Sequence, residues 1–304
     1  MRQLSGELTM LEALEQPILP EGTDTSPVTY LLLESEILDE WLLAQPNTPE
    51  EHTIVDTVRS LDFTSTQRWV WRETEYHDYD TRGPMLVQYG PGSALASTFV
   101  DVWPPTGGAV LLISPESMEP VLAHLREILF VYMPDGKKAR FRLQETAALA
   151  SVLQALAPHR AATLLGPVQE LLWRENLGPD HQWWRYRQSA GAYHVQGGFQ
   201  FSDAEMTAID AGLADHQLRK QTALTQCAPH SFRDSARQQT QIWLEQLYQW
   251  GFQAPHHLET AMEVFRHPAY QAHAHAVVAL LGDAKLAPGA RATRALNHLL
   301  TEGT

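Results

Sequence analysis

Apolar residues recur along this chain with two different periods, and the switching between them predicts its elements. "VTYLLLE" (28–34), "PMLVQYG" (84–90) and "GGAVLLIS" (107–114) are short apolar runs bounded by Gly, Pro or polar residues, the pattern of buried strands. "QRWVWRE" (67–73) alternates Trp69 and Trp71 against Arg68, Val70 and Arg72 and predicts another strand. Between these runs, "SEILDEWLLAQP" places Ile37, Leu38, Trp41 and Leu42 at helical spacing until Pro46 stops it, and "GSALASTFVDVW" also reads as a helix. Ser114 with Pro115 predicts a further helix start, with Val121, Leu122, Leu125, Ile128 and Leu129 on one face as far as about Phe130. Strand and helix in alternation predict a layered domain.

The rhythm then changes. "VYMPDGKKARFRL" carries turn chemistry at Pro134, Asp135 and Gly136 and predicts a hairpin whose return strand sets Ala139, Phe141 and Leu143 opposite Lys138, Arg140 and Arg142. Helical patterns follow over 146–157 and 159–165, and "GPVQELLWRE" and "QWWRYRQ" predict closing strands. The glycine-rich "GAYHVQGGFQ" (191–200) marks a boundary. Beyond it, Ser202 and Glu205 have capping-box spacing ahead of Met206, Ile209 and Leu213, and helical patterns continue with stops at Gly251, Pro255, Pro268 and Gly282. The organisation expected is an N-terminal lead-in over 1–27, made of a short amphipathic helix and a Pro-, Gly- and Thr-rich stretch, an α/β (α+β) domain over 28–190 with a mixed sheet flanked by helices, and an all-α lobe over 200–304.

Composition narrows the function classes. A 304-residue chain with 44% hydrophobic and 19% charged residues is long enough to bury a sizeable core. Its formal net charge of -14 opposes phosphate backbones and anionic membranes, so neither nucleic acid nor membrane insertion is expected. The single cysteine, Cys227, leaves no intramolecular disulfide to form and is expected to be buried or half-buried. The start has Arg2 but also Glu7, Glu12 and Glu15 and no unbroken apolar run, which does not resemble a secretory signal, and the expected compartment is the cytoplasm.

Catalytic chemistry finds little support in spacing. In "TEYHDYD", His77 points away from Asp78 and Asp80 if the segment is extended, and three such groups are too few for a closed zinc site, so a loop is expected. His273 and His275 stand about 200° apart around a helix and cannot grip one ion. His256 and His257 read as a helix start or surface pair. HExxH, G-x-S-x-G, G-x-G-x-x-G and P-loop spacings are absent, and Cys227 near His230 has no protease context. No catalytic, cofactor or metal residue is therefore assigned. What remains suits binding: Trp69, Trp71, Arg140, Arg142, Trp183, Trp184, Arg185 and Tyr186 concentrate aromatic and guanidinium groups in strand patterns, the residue types that dominate protein interfaces. Taken singly, each is also accounted for as one face of a strand against the core.

"GPMLVQYG", "LLISPESMEPVLAHLREILFVYMPDGKKARFRL" and "LLGPVQELL", in that order, together with "LEQLYQWGFQAPHHLETAMEVF" in the helical tail, resemble the effector chaperone or adaptor family of bacterial type VI secretion, long catalogued as a domain of unknown function. The resemblance implies a non-enzymatic, cofactor-free cytoplasmic protein that binds one effector and helps load it onto the VgrG spike protein. It also implies that the stretch before "GPMLV" is a variable loop. Where that family continues from an Arg into Asp-Pro-Arg at the next helix start, this chain keeps Arg142 and has Glu145, Thr146 and Ala147. Two alternatives stand beside this reading. One is an immunity protein, whose negative charge would suit a basic toxin; the other is a metal-dependent hydrolase using His77, Asp78, Asp80 or the His-rich tail.

Overall fold

The computed structural model describes residues 11–19, 27–46, 48–90, 92–188, 198–227 and 235–302. Two compact units result, one comprising Met1–Asn176 with His181–Leu213 and the other Leu177–Asp180 with Ala214–Thr304. In chain order the elements of the first are β1 (Leu11–Leu14), β2 (Val28–Glu34), α1 (Ser35–Leu43), α2 (Ile54–Leu61), β3 (Thr66–Trp69), β4 (Pro84–Gln88) and α3 (Ala94–Asp101). They continue with β5 (Ala109–Ser114), α4 (Met118–Glu127), β6 (Phe130–Tyr132), β7 (Lys138–Arg140), α5 (Thr146–Ala155), α6 (Pro158–Leu165), β8 (Glu170–Leu177), β9 (Asp180–Arg187) and β10 (Phe199–Gln200). The helix α7 (Asp203–Gln226) begins in this unit.

Seven strands form one sheet in the order β1-β9-β8-β5-β2-β4-β3, and β10-β6-β7 form a second, three-stranded sheet. In the large sheet β2 pairs antiparallel with both β4 and β5, placing Leu31 opposite Val87 on one side and Leu111 on the other. The mixed character is confined to the small sheet, where β10 runs parallel and β7 antiparallel to β6. Antiparallel sheets commonly leave one face wet, and their strands then alternate apolar with polar. Here the strands are continuous apolar runs because both faces are covered. Tyr30, Leu32, Leu86, Val110 and Leu112 face one core with α4, α5 and α6, while Leu31, Leu33, Met85, Val87 and Leu111 face a second core with α1, α2 and α3. The period of two along each strand splits one apolar run between two cores.

Several local expectations are corrected. Residues 11–14, expected to be helical, form β1 and pair with β9 from Leu11↔Tyr186 to Leu14↔Trp183; cross-strand pairing supplies backbone bonds that a four-residue apolar segment cannot obtain as an isolated helix. Ser114 does not cap a helix. Its hydroxyl donates to Pro167 O at 2.7 Å and accepts from Glu116 N at 3.1 Å, and α4 starts after Ser117. Only the first three residues of "QRWVWRE" are strand, as part of β3 (Thr66–Trp69), and Val70–Glu73 turn into a 3-10 helix that carries Trp71 inward. Cys227, at the end of α7, is exposed. The capping box is present: Ser202 N donates to Glu205 Oε2 at 2.8 Å, and Glu205 N donates to Ser202 Oγ at 3.2 Å. Phe199, Phe201 and Ile209 are buried in the first unit's core, which is why that unit extends to Leu213. The boundary segment 191–197 and His230 lie outside the described residues.

From Ala214 the second unit is helical, with the end of α7 followed by α8 (Ala236–Gln249), α9 (Pro255–Arg266), α10 (Tyr270–Leu281) and α11 (Pro288–Glu302). Trp243 stacks on Phe265 with ring centroids 5.1 Å apart, inside a cluster with Leu247, Phe252, Met262 and Leu299. Arg291 is buried and donates to Leu281 O at 2.9 Å and Trp250 O at 2.8 Å, satisfying carbonyls at the ends of α10 and α8. Among the described residues, no helix is long and apolar enough to cross a membrane.

Candidate functional site

The most distinctive side-chain arrangement in the first unit gathers around Trp71. The 3-10 turn after β3 buries this residue, and its indole lies over the Cα of Gly83, where a Cβ would overlap the ring. Gly83 is therefore needed for close approach. The ring centroid of Trp71 is 5.0 Å from that of Tyr76, and Tyr76 stacks on Phe130 of β6 at 5.9 Å. The return strand β7 covers this aromatic row with cations: Lys138 Nζ lies 3.5 Å from the centroid of Phe130, and the Arg140 guanidinium lies 5.5 Å and 5.9 Å from those of Trp71 and Tyr76. Neighbouring bases are tied to carboxylates. Arg126 pairs with Glu73, Lys138 with Glu75 at 3.0 Å, and Arg72 with Asp80 at 3.0 Å.

Beside the row opens a cleft of about 350 Å³, counting the space at its mouth. Leu32, Val70, Leu125, Ile128, Leu129 and Leu143 supply apolar walls, and Trp71, Arg140, Arg142 and Gln144 supply its polar groups. This mix of apolar wall with a few polar groups is that of a side-chain pocket, and its enclosed part is narrow, about 20 Å³. The Trp71 Nε1–H is buried and has no hydrogen-bond partner among the described residues.

A buried carboxyl stands behind Gln144. Glu34 closes β2, is almost wholly buried, and accepts a hydrogen bond from Gln144 Nε2. Burial pushes its pKa up; the Gln144 donor and the Arg142 charge oppose that shift, and Glu36 and Glu145 add to it. With the folded pKa above the unfolded one, Glu34 imposes no penalty below the ordinary carboxylate range, and stability is lost as pH rises through the raised value. Glu34→Gln keeps an acceptor for Gln144 and removes the charge. The variant should therefore melt higher than the native protein at pH 7 to 8, with the difference shrinking towards zero near pH 4. Melting temperatures measured across that range check it, and a constant difference would mean that charge burial is not the cause.

The sequence-selected residues do not share one surface. Trp71, Arg140 and Arg142 meet at the cleft. Trp69, on β3, is half-buried and packs against the opposite core. The other four are on β9, next to the far edge of the large sheet from β3. Trp183 is buried edge-on to Phe99 at 5.7 Å, Tyr186 is buried in the first core, and Trp184 Nε1 donates to Glu175 Oε2 at 2.7 Å. Arg185 is 7% exposed, with Nη2 2.8 Å from Glu12 Oε2 and Nε 3.9 Å from Glu170 Oε1. These contacts join β1 and β8 to β9.

His77, Asp78 and Asp80 lie on a 3-10 turn, His77–Arg82. His77 and Asp78 are exposed and lie against each other at 3.2 Å, while Asp80 is held by Arg72. Among the described residues no group of three His, Cys, Asp or Glu side chains is placed to hold a metal ion. His256 and His257 lie in the first turn of α9 with ring centroids 4.0 Å apart, and His273 meets His298 at 5.5 Å.

Nothing in the local sequence singles out Glu34, Gln144, Tyr76 or Phe130. Glu34 ends an apolar run and Gln144 follows a strand pattern, positions that ordinarily face water, so only the tertiary packing reveals that they meet. Glu145 stands immediately before α5, and its side chain makes no capping hydrogen bond.

No curated protein and no solved structure matches the chain. Residues 47–163, which run from the approach to α2 through most of α6 and contain the aromatic row, the β6–β7 hairpin and most of the cleft, match the family described as Domain of unknown function (DUF4123).

Proposed function

We propose that this chain is a non-enzymatic chaperone or adaptor of type VI secretion, which binds a cognate effector in the bacterial cytoplasm and helps to load it onto the VgrG spike protein. The observation that carries the reading is the DUF4123 match over residues 47–163, which contains "GPMLVQYG" and the "LLISPESMEPVLAHLREILFVYMPDGKKARFRL" stretch, two of the motifs that resemble the effector chaperones. The site's chemistry supports the same class. Aromatic rings covered by guanidinium and ammonium groups, with an apolar cleft beside them, are suited to holding a protein surface reversibly. A partner that buries apolar parts of an unassembled effector and then releases it keeps that cargo loadable.

The test is co-purification of the tagged full chain with the products of its neighbouring genes. A complex with an effector, with VgrG, or with both is expected, and deleting the gene should abolish delivery of one effector without harming sibling cells. Absence of any complex with either protein would overturn the reading. Poisoning of siblings on deletion would replace it with an immunity role, which the net charge of -14 would suit if the toxin is basic.

A further inference from the structure

We infer that the cleft beside Trp71 receives a carboxylate side chain from an acidic segment of a protein partner, held by the Trp71 indole N–H and by Arg140 and Arg142. This deepens the adaptor reading and rests on it for the nature of the partner. Three observations converge. First, the indole N–H is a donor only, it is buried, and it has no acceptor among the described residues. A buried unpaired donor is costly, and an incoming oxygen would relieve it.

Second, Arg140 and Arg142 are exposed and make no ion pair among the described residues, whereas the bases around them, Arg72, Arg126 and Lys138, each have a carboxylate. Arg142 lies close enough to Glu34 for its charge to be felt there, yet the two are not in ion-pair contact. The Arg140 guanidinium carbon stands 5.5 Å from the Trp71 ring centroid and 5.9 Å from that of Tyr76, which places this cation beside the indole. Planar guanidinium groups bind carboxylates by paired, charge-assisted hydrogen bonds.

Third, the walls of the cleft are apolar, which suits the methylene stem of a glutamate better than a fully hydrated anion. Local charge complementarity favours an acidic segment, while the overall charge of -14 repels extended polyanions such as anionic bilayers. A single acidic side chain entering a basic rim avoids most of that repulsion.

The experiment uses full-length protein with ¹⁵N-labelled tryptophan, the Trp71 indole resonance being assigned by its loss in Trp71→Phe. The probe is a capped Ser- and Gly-rich peptide carrying one Glu, and the control is the same peptide with Gln in its place. A saturable shift of the Trp71 resonance is expected with the Glu peptide and not with the Gln peptide. Arg140→Ala with Arg142→Ala should weaken that binding at least tenfold, and raised salt should weaken it in the native protein.

No movement of the Trp71 resonance at millimolar peptide, or an equal shift with the Gln peptide, would overturn the inference. So would a stronger response to inorganic phosphate or to phosphatidylglycerol vesicles. The same double-arginine variant, carried into the co-purification, separates the two claims. If it retains the effector and VgrG as well as the native chain does, the cleft assignment falls and the adaptor reading stands. If the native chain retains neither protein, the adaptor reading falls, and the peptide titration still decides the cleft.

Discussion

Replacing Trp173 with alanine should lower the stability of the sheet-containing unit by about 3–5 kcal/mol, the usual cost of deleting a fully buried large aromatic side chain. Trp173, on β8, is wholly buried in the first core and stacks on Trp184 at 6.5 Å. Tryptophan is also a residue type common in protein interfaces, so a core role and an interface role for Trp173 predict different results. A core residue loses stability on truncation, and any loss of partner capture follows unfolding. An interface residue would leave the melting transition in place and weaken capture alone. Trp173→Phe should cost much less than Trp173→Ala, because the Trp173 Nε1–H has no partner among the described residues and its removal breaks no hydrogen bond. Denaturant unfolding of both variants checks the order; equal stability of the native chain and the alanine variant would contradict the placement.

Gly166→Ala is the second substitution expected to be severe. Gly166 follows α6 with φ 55° and ψ -122°, a region that glycine alone adopts readily. A Cβ at this position would overlap the ring of His124, which α4 brings against the end of α6. That ring is not free to move away, since His124 is buried and its Nε2–H donates to Leu164 O at 2.9 Å. The backbone cost is about 1–2 kcal/mol, and overpacking adds roughly 1–3 kcal/mol. His124→Ala removes the obstacle, so the double variant should be less destabilised than the sum of the single changes. Strict additivity in thermal or denaturant unfolding would show that the backbone alone accounts for the loss.

Both substitutions act on the same architectural fact: one sheet separates two cores, and the helices on each face are fixed by a few close approaches. The cleft depends on it as well. Trp71 reaches its place because β3 ends in a 3-10 turn and Gly83 has no side chain, while Ser35 Oγ donates to Gly83 O at 2.9 Å and secures the strand entrance beside it. Arg140 and Arg142 then arrive from the hairpin, more than sixty positions later in the chain.

The sequence by itself determined the central strands β2, β4 and β5, most helices, the hairpin turn and the helical second unit, because those features follow from local period, turn residues and caps. It also determined the residue types of the site, through Trp71, Arg140 and Arg142. Tertiary structure alone decided which of the selected aromatic and arginine residues meet. Trp183, Arg185 and Tyr186 have the same composition as an interface, but the antiparallel pairing of β1 with β9 and the layer beneath them bury all three. Period along a strand says which residues share a face, and it carries no information about what covers that face. For the same reason Glu34 and Gln144, separated by 110 positions, could be joined only by the packing of α5's lead-in against the end of β2.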